Sequence, residues 1–181
     1  MSTYIALLRG INLAGHKPVR MADLRAFLTD LGFADPRTLL ASGNAVFDDA
    51  RRNASTLESL LEAEAADRLG LETEFFVRKP RQWDEVIAGN PFEEQAERDP
   101  RRLLVMALKR KPAAQAVRRL QDSIGGPETV RPGARHLYVV YPDGIGRSKL
   151  TVARIEKMLG TRGTGRNWNT VLKLRDLVRD R

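Results

Sequence analysis

Along the chain, apolar positions switch between a period of two and a period near four, and the switches mark the elements. Residues 3–9 alternate or run apolar with a β-former bias and predict a strand. Met21, Leu24, Leu28 and Leu31 then fall at helical spacing, closed by Gly32 as a left-handed C-cap. Thr38–Ala41 and Ala45–Phe47 are expected as short strands around the turn Ser42-Gly43-Asn44. Ser55 and Glu58 form a capping-box pattern for a helix carrying Leu57, Leu60, Leu61, Ala65 and Leu69, and Thr73–Val77 predicts the next strand. The order βαββαβ is ferredoxin-like.

A bridging helix follows, with Pro80 at its start and Trp83, Val86 and Ile87 as its apolar positions. Gly89-Asn90-Pro91-Phe92 stops it, and the acidic stretch to Pro100 is expected as an exposed connection. The pattern then recurs: a strand at Leu103–Leu108, a helix over 112–123, and a hairpin of 128–131 with 136–141 around Pro132-Gly133. A helix over 150–159, a poor strand near 162–166 and a final helix complete it. The weak strand contains Gly163 and Gly165, which disfavour sheet. The final helix presents Trp168, Val171, Leu174 and Val178 on one face, and Arg166 at its entry is expected to point outward. Two such units spaced by roughly a hundred residues argue for a duplicated α+β fold. The expected domains are a first ferredoxin-like half at 1–79, a bridge at 80–101 and a second half at 102–181.

Charge divides the two halves. Residues 1–100 carry 12 basic and 17 acidic side chains, a net of −5, while residues 101–181 carry 19 and 6, a net of +13. Such asymmetry suggests that the second half faces a polyanion, with nucleic acid the first candidate. Of the 31 basic residues 24 are arginine, which base composition of a genome can favour, although that would not create a positive excess. No apolar run reaches the eighteen or so residues of a membrane span, and no secretory signal is visible, so a cytoplasmic protein without a membrane partner is expected. The absence of cysteine removes disulfides, thiolate metal sites and cysteine nucleophiles together.

Motifs for chemistry are weak, and no catalytic set emerges. Gly10-Ile11-Asn12-Leu13-Ala14-Gly15-His16-Lys17 superficially matches a phosphate loop, but His16 precedes Lys17 and Pro18 stands where Ser or Thr is needed. Ser42 lacks a base in sequence, since the histidines are only His16 and His136, and turn chemistry explains Ser42-Gly43-Asn44 better. No metal or cofactor is expected, because histidines 120 residues apart and the pair Asp48-Asp49 make no ligand set. Gly146-Arg147-Ser148-Lys149 precedes a helix and offers an anion seat that Arg166 can join, although Ser148 or Thr151, and Asn167, also fit as helix caps. The aromatic signature of RNA-recognition domains is missing, and Tyr138 and Tyr141, three apart on a strand, point to opposite faces.

Three motifs in this order, Leu7-Leu8-Arg9-Gly10-Ile11-Asn12, Ser42-Gly43-Asn44 with Val46-Phe47, and Arg166-Asn167-Trp168-Asn169-Thr170, resemble domain-of-unknown-function family 1697, small bacterial cytosolic proteins. The resemblance spans nearly the whole chain. It implies an α+β fold of two ferredoxin-like halves and brings no substrate, cofactor or catalytic residue with it. One departure is Thr164-Gly165, where the family tends to have two threonines.

Two readings follow. The first is a non-enzymatic binding module whose basic half engages a polyanion. The second is a site for a small phosphorylated or carboxylated ligand, or an enzymatic site, between the halves. Asn12, Ser42, Asn44, Arg147, Lys149, Arg166 and Asn167 are its polar loop residues. A homodimer resting on exposed edge strands is a third option. The ligand set is narrowed to Arg9, Asn12, Arg147, Lys149, Arg166 and Asn167, with the Gly10-Ile11-Asn12 loop meeting Arg166-Asn167 across the seam. Asn44 is set apart, because a parallel pairing of the first and third strands would leave its turn a strand length, about 17 Å for five residues, from the Gly10 loop.

Overall fold

The computed structural model describes residues 1–13 and 18–181, so the Ala14-Gly15-His16-Lys17 part of the phosphate-loop-like motif lies outside the described residues. The fold is mixed α+β, with two four-stranded antiparallel sheets and seven α-helices among the described residues. The chain divides into two compact units, residues 1–84 with 174–181, and residues 85–173. The last eight residues thus belong with the first unit, whereas the pattern of the chain had assigned them to the second half.

In the first unit the elements are β1 (Ser2–Leu8), α1 (Met21–Asp30), β2 (Ala34–Leu39), β3 (Asn44–Asp49), α2 (Ala54–Leu69) and β4 (Phe75–Arg78). The sheet order is β2-β3-β1-β4. Tyr4, Ala6 and Leu8 of β1 pack with Leu24, Phe27 and Leu28 of α1 and Leu57, Leu61 and Ala65 of α2 in the unit's core. Ile5 and Leu7, on the opposite face, are equally buried. A central strand closed on both faces explains the unbroken apolar run of β1.

Three expectations are corrected. First, β1 and β3 are antiparallel, with Leu7 opposite Asn44 and Ser2 opposite Asp49. The turn before β3 therefore lies at the end of β1 where the Gly10 loop begins, and Leu8 donates its amide to Gly43 O at 2.9 Å. Second, β2 spans 34–39 rather than 38–41. Its polar sequence Ala-Asp-Pro-Arg-Thr-Leu hides it from pattern reading, and Pro36 is tolerated because the strand is an edge and carries a register shift between Ala34 and Arg37. Third, α2 is capped by Asn53, which accepts from Thr56 N at 2.9 Å, and not by Ser55. Glu58 is thereby released from a capping role and reaches the sheet, accepting from Val77 N at 2.8 Å.

The expected bridging helix is α3 (Pro80–Ala88), and the acidic stretch expected as an exposed connection forms a short helix, α4 (Glu93–Arg98). The second unit repeats the first unit's order with β5 (Leu103–Leu108), α5 (Ala114–Asp122), β6 (Thr129–Pro132), β7 (His136–Val140), α6 (Val152–Leu159) and β8 (Gly163–Asn167); α7 (Trp168–Arg179) follows, its residues from 174 on grouped with the first unit. The sheet order is β6-β7-β5-β8, again antiparallel at each pairing. The poor strand is real. A Cβ on Gly163 would stand 2.4 Å from Met106 Cε, and one on Gly165 2.7 Å from Leu104 Cδ2. Glycine leaves room there for the β5 side chains that lie over the β8 backbone.

Tyr138 and Tyr141 do point to opposite faces. Tyr141 joins the helix-side core and donates to Leu150 O at 2.9 Å, while Tyr138 donates to Val86 O at 2.6 Å on the other side. Burial pushes both phenols up to about 12, helped at Tyr141 by the negative charge of Glu128. Both are neutral in the fold while the unfolded chain ionises near 10, so their contribution is intact below pH 10 and is lost as pH rises through about 12. An alkaline titration followed by tyrosinate absorbance should show Tyr138 and Tyr141 ionising together with loss of near-ultraviolet circular dichroism. Ionisation of Tyr138 and Tyr141 near pH 10 with the fold intact would contradict this burial.

Candidate functional site

Arg9 and Asn12 belong to the first unit, and Arg147, Lys149, Arg166 and Asn167 to the second. In the first, Arg9 lies 3.7 Å from the Glu74 carboxylate, and its carbonyl accepts from Thr73 Oγ1 at 2.6 Å. Asn12 sits at φ 55°, donates to Val19 O and Ala41 O at 2.9 and 2.6 Å, and accepts from Val19 N at 2.6 Å. Its amide thus staples three backbone segments together. Asn44 is buried and donates to Leu39 O and Ser42 Oγ, as a turn residue does. The Asn12 loop and the Ser42-Gly43-Asn44 turn meet, where parallel pairing would have held them apart.

Arg166 does not point outward. It is only 6 % exposed, donates to Thr164 Oγ1 and Gly165 O at 2.9 and 2.8 Å, and burial lowers its pKa to about 10. It lies opposite Val105 on β5, and Arg78, also buried, lies opposite Ile5 on β1, so each sheet carries a buried arginine at the equivalent position of its edge strand. Asn167 caps α7 by accepting from Thr170 N at 3.0 Å.

Arg147 and Lys149 are exposed, beside the end of the sheet where β5 begins. Ser148 between them donates to the Glu128 carboxylate and accepts from Leu150 N, which holds the Glu128 carboxyl below its ordinary value. A carboxylate therefore already occupies the hydroxyl offered to an anion. Asp99 and Asp143 flank the same end, so its cations are interleaved with negative charge.

The opposite end of that sheet is different. The register places Leu108 opposite Gly163, Ala107 opposite His136, and Pro132 opposite Leu137, which gathers the β5–α5, β6–β7 and α6–β8 loops. These loops and the end of β6 bring together Lys109, Arg110, Lys111, Arg131, Arg135 and Arg162. Main-chain bonds tie the loops to one another: Leu108 N to Arg135 O at 2.9 Å and Lys109 N to Arg162 O at 3.0 Å. Arg135 donates to Lys109 O at 2.7 Å and Arg110 to Gly160 O at 2.8 Å. Arg110, Lys111, Arg131 and Arg162 are exposed, and Lys109 and Arg135 half-buried. Against these six stands Glu156, which accepts from Gly163 N at 3.0 Å and lies 3.4 Å from Arg162. The tribasic run Lys109-Arg110-Lys111 was a visible signal, whereas its convergence with Arg131, Arg135 and Arg162 is a product of sheet order.

A groove of about 200 Å³ in the first unit is lined by Ile5, Pro80, Trp83, Asp84, Arg175, Val178 and Arg179, and holds none of the expected ligand residues. Among the described residues no cluster of His, Asp and Glu could hold a metal ion, and no helix is long and apolar enough to cross a membrane.

The family described as Protein of unknown function (DUF1697) matches residues 1–138. The solved structure of the conserved bacterial protein SP0830 from Streptococcus pneumoniae is similar, with a TM-score of 0.72, 21% identity and 97% of each chain covered. At that identity the likeness concerns the fold. No curated protein matches the sequence.

Proposed function

We propose that this chain, which belongs to the DUF1697 family of proteins of unknown function, is a non-enzymatic cytoplasmic module whose second unit binds a polyanion, nucleic acid in particular. In this reading each unit is a ferredoxin-like half, an assignment supported by the sheet orders β2-β3-β1-β4 and β6-β7-β5-β8 with antiparallel neighbours. The observation that carries the function is the concentration of charge. The second unit has 17 basic and 9 acidic residues, a net of +8, while the first has 14 of each and is neutral. Within the second unit six cations gather at one sheet end with Glu156 as their counterweight. A field of this kind attracts phosphates without any base contact and raises association rates.

Fluorescence anisotropy of labelled oligonucleotides at low salt tests the proposal. Dissociation constants in the range of about 1 to 100 µM, typical of sequence-independent binding, are expected. A flat signal across that range would overturn it.

A further inference from the structure

Resting on that reading, we infer that the six-cation end of the second sheet is the contact surface, and that it takes the sugar–phosphate backbone of a duplex. Location comes first. The β5–α5, β6–β7 and α6–β8 loops stand side by side at the ends of four adjacent strands. Three strand spacings of about 4.8 Å give the row a width of about 14 Å. That is comparable with a major groove of about 12 Å, so the row can address phosphates on both strands. Arg110, Arg131 and Arg162 supply planar forks suited to phosphate oxygens, and Lys111 a mobile point charge. The half-buried Arg135 fixes the row through its bond to Lys109 O.

The duplex follows from the aromatics. Proteins that hold single strands stack bases on exposed rings. In the second unit Tyr138, Tyr141 and Trp168 are buried, and Phe92 and His136 are half-buried. Tyr138 and Tyr141 also spend their hydroxyls on main-chain carbonyls. The sheet face that carries Val105, Tyr138 and Arg166 is closed, so the stacking platform of RNA-recognition domains does not exist here. Phosphate contact alone remains, and a duplex presents phosphates at higher density than a flexible strand.

Two charge-matched variants of the full chain decide the matter. Lys111→Ala/Arg131→Ala removes two exposed cations from the proposed surface, and Arg147→Ala/Lys149→Ala removes two from the other end of the same sheet. Anisotropy with a labelled duplex and with one of its strands, at low salt, is expected to show tighter binding of the duplex. The first variant should weaken duplex binding about tenfold or more, and the second less than about threefold. Arg110→Ala/Lys111→Ala, confined to one loop, gives the same comparison should Arg131→Ala disturb β6. If the wild type binds but both variants lose affinity equally, or the second loses more, the surface assignment fails while polyanion binding stands. Preference for the single strand overturns the duplex. If the wild type binds neither nucleic acid, the functional reading itself fails, and binding of heparin or an acidic protein in that case would redirect it to another partner.

Discussion

Replacing Gly43 by alanine is expected to lower the free energy of unfolding by about 2–4 kcal/mol, through left-handed strain and overpacking acting together. Gly43 sits at φ 82°, a conformation L side chains rarely adopt. A Cβ built there would lie 2.6 Å from Ile11 Cδ1 and 2.9 Å from Leu8 Cβ. The Ile11 terminus can rotate away, but Leu8 Cβ is fixed to the strand that donates its amide to Gly43 O, so the backbone must shift. Urea unfolding measures the effect as a lower midpoint with an unchanged slope. A loss below about 0.5 kcal/mol, the level of an ordinary surface change, would contradict the described packing of the turn on the Ile11 loop.

A second large effect is expected at Glu58. Its carboxylate is buried, accepts from Val77 N at 2.8 Å, and lies 3.4 Å from the guanidinium of Arg78, itself only 5 % exposed. Removing one partner of a buried ion pair costs up to about 3–5 kcal/mol. Glu58→Ala should show a loss of that size in urea unfolding. Glu58→Gln, which keeps an acceptor for Val77 N, should lose less. Equal losses in the two variants would indicate that cavity and packing terms, not the charge, dominate at this position.

Glu58 also illustrates what pattern reading can and cannot reach. Its spacing from Ser55 matches a capping box, but Asn53, two residues earlier, holds the cap, and Glu58 belongs to a contact with a strand nineteen residues away. Local spacing is blind to such partners. The elements with strong apolar periodicity, β1, α1, β5 and α6, were legible because burial on a defined face dictates them. The Ala34–Leu39 edge strand was not, since it buries little and carries Pro36. Gly163–Asn167 read as a doubtful strand because its glycines answer to Met106 and Leu104, contacts that exist only after β5 and β8 pair.

The site was legible to a lesser degree. The basic excess of the C-terminal half was plain in composition, and Asn12 does lie in a loop, whereas Asn44 opens β3 and Asn167 closes β8. Arg166, two residues before a Trp-led helix, has the local pattern of a surface corner, but strand pairing with Val105 buries it. The convergence of Lys109, Arg110 and Lys111 with Arg131, Arg135 and Arg162 depends on which strand ends share an edge of the sheet. An assumed parallel pairing of the first and third strands, which the antiparallel register of Leu7 with Asn44 replaces, would have assigned the loops to the wrong ends.

The salt dependence of duplex binding tests the central claim most directly. Four exposed cations, Arg110, Lys111, Arg131 and Arg162, face the proposed partner. If each neutralises one phosphate, the logarithm of the association constant should fall with the logarithm of salt concentration at a slope of about −3.6, or 0.9 per contact. A slope near zero, or no measurable binding at low salt, would contradict the account.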